Sequence, residues 1–330
     1  MIIITHNDKS LPEELRLETG DGLSSQYFVQ ELDSAWRYCH ESVHITFVTC
    51  RSHPAESIFL HAGLVIDDRL PAHEAFFGFM SFPDERASFD DLWKALISEA
   101  RDRGIRTLKG PIQGSIWHQY RCVAKSDGSP WFTSEPRSPE HHRIYYEANS
   151  PAACIGYYSA ERRSLDGIMR ALETVTSRDI GVDNLSIQCL SSQESRAYFK
   201  DIAEIGRITF AKSWGYTELE HSELTALYTS ERLERNLSQL YVARVGAQLI
   251  GFCSAAHEGD TFILKTIAIL PEWQKRGIGT MLAHFVHSDA RDKNVARVVY
   301  ALIREGNNIQ RFPHDDAVIF RRYAAYEFSV

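Results

Sequence analysis

Hydrophobic and polar positions change period along the chain, and the changes mark its elements. Three apolar runs, HITFVTC from His44, SIFLHAGLVID from Ser57 and EAFFGFMSF from Glu74, read as strands. Trp93, Leu96, Ile97 and Ala100 then stand at i, i+3, i+4 and i+7, which predicts an amphipathic helix over 88–103, with Gly104 placed for a left-handed C-terminal cap. Over 109–139 the periodicity stops, and Gly, Pro, Ser and Trp predict an ordered aromatic loop that covers something. Leu165, Ile168, Met169, Leu172 and Val175 predict a helix over 161–176.

Beyond that helix the pattern reads as strand 185–190, helix 191–212, a short second helix, and strands 240–245, 249–257 and 262–270, with turns at Gly246 and Gly259. A helix over 277–293 and a strand over 296–303 follow, and 317–328 reads as a closing strand. Strands and helices alternate only in part, so the fold class is α/β with a mixed sheet. At 330 residues the chain is long enough for two domains. The expected boundaries are a first domain over 1–160, a linker helix over 161–182 and a second domain over 183–330. An internal echo supports duplication: ARDRGIRTL from Ala100 and ARDKNVARV from Ala290 each end a helix, turn through Gly or Asn and enter a strand.

Chemistry concentrates in LKTIAILPEWQKRGIGTMLAHFVH, from Leu264: an apolar strand, a turn, then Gln274, Gly277 and Gly279 at the mouth of a helix. A helix N-terminus offers unpaired N–H groups and the positive end of the dipole, which suits a phosphate, and glycine lets the ligand approach the backbone. Lys275 and Arg276 add positive charge. Neither a GxxxxGK[ST] nor a GxGxxG fingerprint competes with this loop.

Composition removes other classes. The formal net charge is -8 and no basic block stands out, so no nucleic-acid partner is expected. The six cysteines form no CxxC pair, which predicts buried thiols, a reducing cytoplasmic setting and no metal site. No stretch approaches the length of a membrane span.

The segment IAILPEWQKRGIGTML resembles the acyl-CoA-binding motif of the GNAT superfamily of N-acyltransferases, and the element order from about Asp183 is similar to that fold. The first half resembles a degenerate copy: its equivalent loop, PDERASFDD, has no glycine and four acidic residues. The resemblance implies a tandem GNAT fold and an N-acyltransferase using acetyl-CoA or another acyl-CoA on a small-molecule or peptide amine, in a ternary complex. Ile267 and Ile269 would pair with the pantetheine arm, and Gln274, Lys275, Arg276, Gly277, Ile278, Gly279 and Thr280 would hold the pyrophosphate. Asn307 or Asn308 would bond the arm, and Tyr323 or Tyr326 would be the acid. Glu218 and Glu220, with His221 and Glu258, are the base candidates, and the strand end at Ile269 and Leu270 would supply oxyanion donors. The rival readings are a Fem-type aminoacyl transferase, which also uses tandem GNAT-like domains, and a CoA-binding module without turnover. The acceptor, the acyl chain length and the oligomeric state stay open.

Overall fold

The computed structural model describes residues 2–6, 41–51, 59–133, 135–177, 180–223, 238–307 and 316–330. The expected second helix after 212 is described only as far as residue 223, and Cys39, Asn308, His314 and Asp315 lie outside the described residues. Among the described helices, none is long and apolar enough to cross a membrane.

Strands β1 (Ile2–His6), β2 (Val43–Arg51), β3 (Phe59–Asp67) and β4 (Glu74–Ser81) form an antiparallel run. Helix α1 (Arg86–Asp102) then leads to β5 (Thr107–Gly110), which pairs parallel to β4. After β6 (Cys122–Ser126) and α2 (Glu140–Ala148) come β7 (Ala153–Arg162) and α3 (Asp166–Thr176). The second half repeats the plan with β8 (Leu185–Leu190), α4 (Ser192–Ala197), α5 (Phe199–Phe210), β9 (Ser238–Val245), β10 (Gln248–Glu258) and β11 (Thr261–Ile269). Helix α6 (Ile278–Asp292), β12 (Arg297–Arg304) and β13 (Val318–Ser329) complete it.

The echo in the sequence is one structural unit used twice. β4, α1 and β5 match β11, α6 and β12, each with a parallel pairing. Gly104 and Asn294 both take left-handed φ values, 76° and 52°. Each donates to the carbonyl three residues back at 2.9 Å, and Ile105 and Val295 reach back to Ala100 and Ala290 at 3.0 and 3.4 Å. Both helices therefore end in the same Schellman arrangement.

The halves share strands. One sheet of thirteen strands runs β1-β2-β3-β4-β5-β13-β7-β12-β11-β10-β9-β8, with β6 also on β13. The C-terminal β13 thus pairs with β5 and β6 of the first half, and β7, from the first half, pairs with β12 of the second. β7 and β13 pair with each other at the centre, and each half completes its sheet on that pair. Neither β6 nor β7 was anticipated from the pattern. β6 lies inside the Gly- and Pro-rich loop, and β7 ends at Arg162, where the expected helix was to have begun.

The loop that contains β6 is fastened by a buried cation. Both side chains of the Arg321–Glu135 pair are fully buried, 2.5 Å apart. Arg321 also donates to the Ser129 carbonyl at 2.5 Å and stacks 3.7 Å from the Trp131 ring. Further along the same loop, Trp117 Nε1 donates to the Thr217 carbonyl at 3.1 Å and its ring meets Phe210 and Tyr216. The loop packs against the second half.

Among the described residues, three histidines are buried and held neutral. Burial lowers His61 and His287 from 6.5 to about 4, and His142, stacked 4.1 Å from Phe82, to about 3. A histidine whose folded pKa lies below its unfolded value keeps its full stability above the unfolded pKa and loses it as pH falls toward the folded one. Each contributes a loss of order 3 kcal/mol by about pH 4. Thermal melts should therefore show the unfolding midpoint falling steadily from pH 6.5 to pH 4, and His142→Phe, which keeps the stack, should flatten that slope.

Candidate active site

β11 and β12 run together only from Thr261 to Leu264, opposite Arg297 to Tyr300, and then part. Beyond Tyr300, β12 carries a bulge: two residues, Ala301 and Leu302, stand opposite Ser159 of β7. A bulge bends a strand and increases its twist, which carries β12 away from β11 and opens a wedge.

The outer half of β11 turns its peptide groups into that wedge. Leu270 N–H donates to the Ile250 carbonyl at 2.9 Å, so Leu270 faces β10. By the alternation of an antiparallel ladder, Ile267 and Ile269 face away from β10. The Ile269 carbonyl accordingly accepts from Gln274 Nε2 at 2.8 Å.

At the mouth of the wedge, Lys275 and Gly277 take left-handed φ values of 62° and 85°. Gly277 is the N-cap of α6 and makes no side-chain cap, and the first helical bond runs from Met281 N–H to its carbonyl at 3.0 Å. The N–H groups of Ile278, Gly279 and Thr280 precede that bond. Ile278 is buried and anchors the turn, while Gln274, Lys275 and Arg276 are exposed. The result is a ring of backbone donors and two cations at the positive end of a 15-residue helix.

At the closed end of the wedge lies a cavity of about 90 Å³ lined by Leu264, Ile267, Tyr300, Ile303 and, from α3 and α6, Ile168 and His287. His287 Nδ1–H donates to the Ala283 carbonyl at 2.7 Å, which leaves Nε2 to accept from the Tyr300 hydroxyl at 2.7 Å. Burial raises Tyr300 to about 12, so it is protonated at neutral pH. Tyr300 was not singled out from the sequence, although it is the single aromatic in RVVYALIR. His287, expected on a partly exposed face, is buried.

The other sequence candidates lie elsewhere. Tyr326 is in the core of the first half with its hydroxyl 3.2 Å from Glu147 Oε1, and burial raises its pKa. Tyr323 is buried between Ser159, at 3.0 Å, and Glu135, to which it donates; burial also raises its pKa. Glu218 and Glu220 are exposed. The Glu218 carbonyl accepts from Arg69 at 2.5 Å, and Glu220 N–H donates to Glu223 at 3.1 Å. Glu223, which the sequence did not flag, is the buried member of that loop, and with Asp67 it holds Arg69 of the first half at 2.7 and 2.8 Å. Glu258 accepts the Thr133 N–H. Asn307 is exposed in the turn after β12, its N–H bonded to the Arg304 carbonyl at 3.1 Å. None of Tyr323, Tyr326, Glu218 and Glu220 lines the cavity.

The corresponding wedge in the first half is filled by the chain itself. Ile112 N–H donates to the Phe77 carbonyl at 2.8 Å, and Phe79 N–H to Gln113 Oε1 at 2.5 Å. A Cβ on Gly78 would stand 2.0 Å from the Ile112 carbonyl oxygen, and one on Gly110 2.2 Å from that of Phe77. Glu85 stands at the N-cap of α1 where α6 has a left-handed glycine.

Residues 201–311 match the family model for the acetyltransferase (GNAT) family. The second half carries a GNAT domain. Its wedge, phosphate-type loop and helix all fall inside the matched segment. The fold of the whole chain is that of a tandem GNAT protein: one from the clavulanic acid biosynthesis pathway aligns at TM-score 0.52 and 12% identity over 91% of this chain and 87% of that one. A probable N-acyltransferase from Enterococcus faecalis V583 aligns at TM-score 0.57 and 10% identity, over 98% and 72%. A GCN5-related N-acetyltransferase from Anabaena variabilis aligns at 0.51 and 9%, over 99% and 72%. No curated protein matches the sequence.

Proposed function

We propose that the protein is an acyl-CoA-dependent N-acyltransferase with one cofactor site, in the wedge of the GNAT domain. The open wedge with the Gly277 loop at its mouth carries this proposal. The backbone N–H groups of Gly277 to Thr280, with Lys275 and Arg276, hold the pyrophosphate, and Ile267 and Ile269 pair with the pantetheine arm. Five strand steps from Ile269 to Leu264 span about 17 Å. The pantetheine arm, about thirteen bonds long, covers about 16 Å when extended. The thioester is thereby brought to the closed end, beside the Tyr300 cavity, whose size suits a short acyl group such as acetyl. An intact phosphate-type loop favours CoA over an aminoacyl-tRNA donor.

In the reaction, the neutral amine attacks the thioester carbon, the splayed β11 backbone stabilises the oxyanion, and on collapse the C–S bond breaks, the nitrogen loses one proton and the departing thiolate gains one. Tyr300 is assigned as the donor of that proton: its O–H rests on His287 Nε2, turns to the sulfur as the thiolate forms, and is restored by the proton that the attacking nitrogen gives up. Tyr300→Phe should lower kcat by about 10²-fold or more and leave the CoA dissociation constant unchanged. Thiol release from acetyl-CoA with a panel of primary amines tests the activity; acetyl-CoA binding without release under any amine would favour a CoA-binding module.

A further inference from the structure

Beside the wedge stands one residue in an unusual conformation. Leu302, in the β12 bulge, has φ 59°, and side chains from the first half hold both of its peptide groups. Its N–H donates to Ser159 Oγ at 3.0 Å, and its carbonyl accepts from Arg121 Nη1 at 3.0 Å. Neither partner belongs to the segment that matches the GNAT family.

Both partners are themselves fixed. Ser159 is fully buried, and its hydroxyl meets that of Tyr323, which donates to the buried Glu135 carboxylate. With the Tyr323 O–H directed at Glu135, the Ser159 O–H donates to the Tyr323 oxygen, leaving a Ser159 lone pair for Leu302 N–H. The Arg121 guanidinium sits in the corner of the perpendicular Tyr120 and Tyr157 rings, 3.7 and 4.0 Å from their centroids. A residue at positive φ in a strand persists only where its surroundings over-determine it, and here two rigid side chains do so.

We infer that Ser159 and Arg121 are positioning residues for the cofactor site: by holding Leu302 in the left-handed bulge, the first half keeps the second half's wedge open. Tyr323 belongs to this brace, through Ser159. The filled wedge of the first half is the contrasting case, since there the chain after β5 bonds back to β4 through Ile112 and Gln113. This inference rests on the CoA site proposed above, and its test separates the two.

CoA binding is measured by calorimetry on the full chain, well below each protein's unfolding midpoint. Ser159→Ala and Arg121→Met should each weaken CoA binding at least tenfold, Ser159→Thr should retain the unmodified affinity, and the acceptor KM at saturating acyl-CoA should not change. Unmodified affinity in both Ser159→Ala and Arg121→Met, with Gly277→Asp still abolishing binding, overturns the brace and leaves the CoA site standing. No CoA binding by the unmodified protein overturns both. Should the two variants fail to fold, amide exchange in the unmodified protein decides: a Leu302 amide protected without CoA supports the brace, and a freely exchanging one overturns it.

Discussion

Replacing Gly277 by aspartate should abolish CoA binding, a loss of at least 100-fold in affinity, while the protein keeps a single cooperative melt. Aspartate tolerates a left-handed φ better than most residues, so the backbone cost at 85° stays within about 1–2 kcal/mol. Its Cβ would stand 3.2 Å from Ile180 Cγ2, a methyl group that can shift by a few tenths of an ångström. The carboxylate, however, would face the N–H groups of α6 and compete there with the pyrophosphate, as well as repel it. Calorimetry against CoA and a thermal melt on the same sample check both parts.

Dividing the chain at the expected domain junction has the second large effect. A fragment beginning at Leu165 contains the whole family-matched segment, yet it should show no cooperative unfolding transition. β12 would lose β7, its neighbour on the side away from β11, and β13 would lose β5, β6 and β7 together. Unpaired buried strand edges leave peptide groups without partners. The fragment should therefore be collapsed or aggregated by circular dichroism and light scattering, and adding residues 1–164 in trans should restore a melt. A fragment that melts cooperatively and binds CoA alone would show that the shared strands are dispensable.

These contrasts show what local patterning conveys. Helix α6 was legible because its apolar face repeats at 3.6 residues and Gly277 and Gly279 mark its mouth. The second-half strands were legible because β-branched and apolar runs are punctuated by Gly246 and Gly259, which do take left-handed φ values. Helix 191–212 was foreseen as one piece; the chain turns at Tyr198, and Ser191 with Glu194 forms a capping box for the short α4. Strand sharing left no local signal, because β13 pairs with strands more than 150 residues earlier. Nor does the sequence mark Tyr300, Ser159 or Arg121 as parts of the wedge. The roles proposed for them follow from a bulge whose register depends on three strands at once.

Tyr323 illustrates the same limit. It was offered because the family resemblance implies a tyrosine acid in that segment, but its hydroxyl is held by Ser159 and Glu135 and the residue does not line the cavity. The PDERASFDD loop, by contrast, was read as a degenerate copy from its four acidic residues and its lack of glycine. The strand packing beside it adds an independent obstacle, since the wedge behind that loop is closed by Ile112.

The most direct measurement is the stoichiometry of CoA binding to the intact protein by calorimetry, repeated with Gly277→Asp. One open wedge and one filled wedge predict about one CoA per chain, and none after the substitution. Two CoA molecules per chain, or one that survives the change at Gly277, would contradict a single site in the second half.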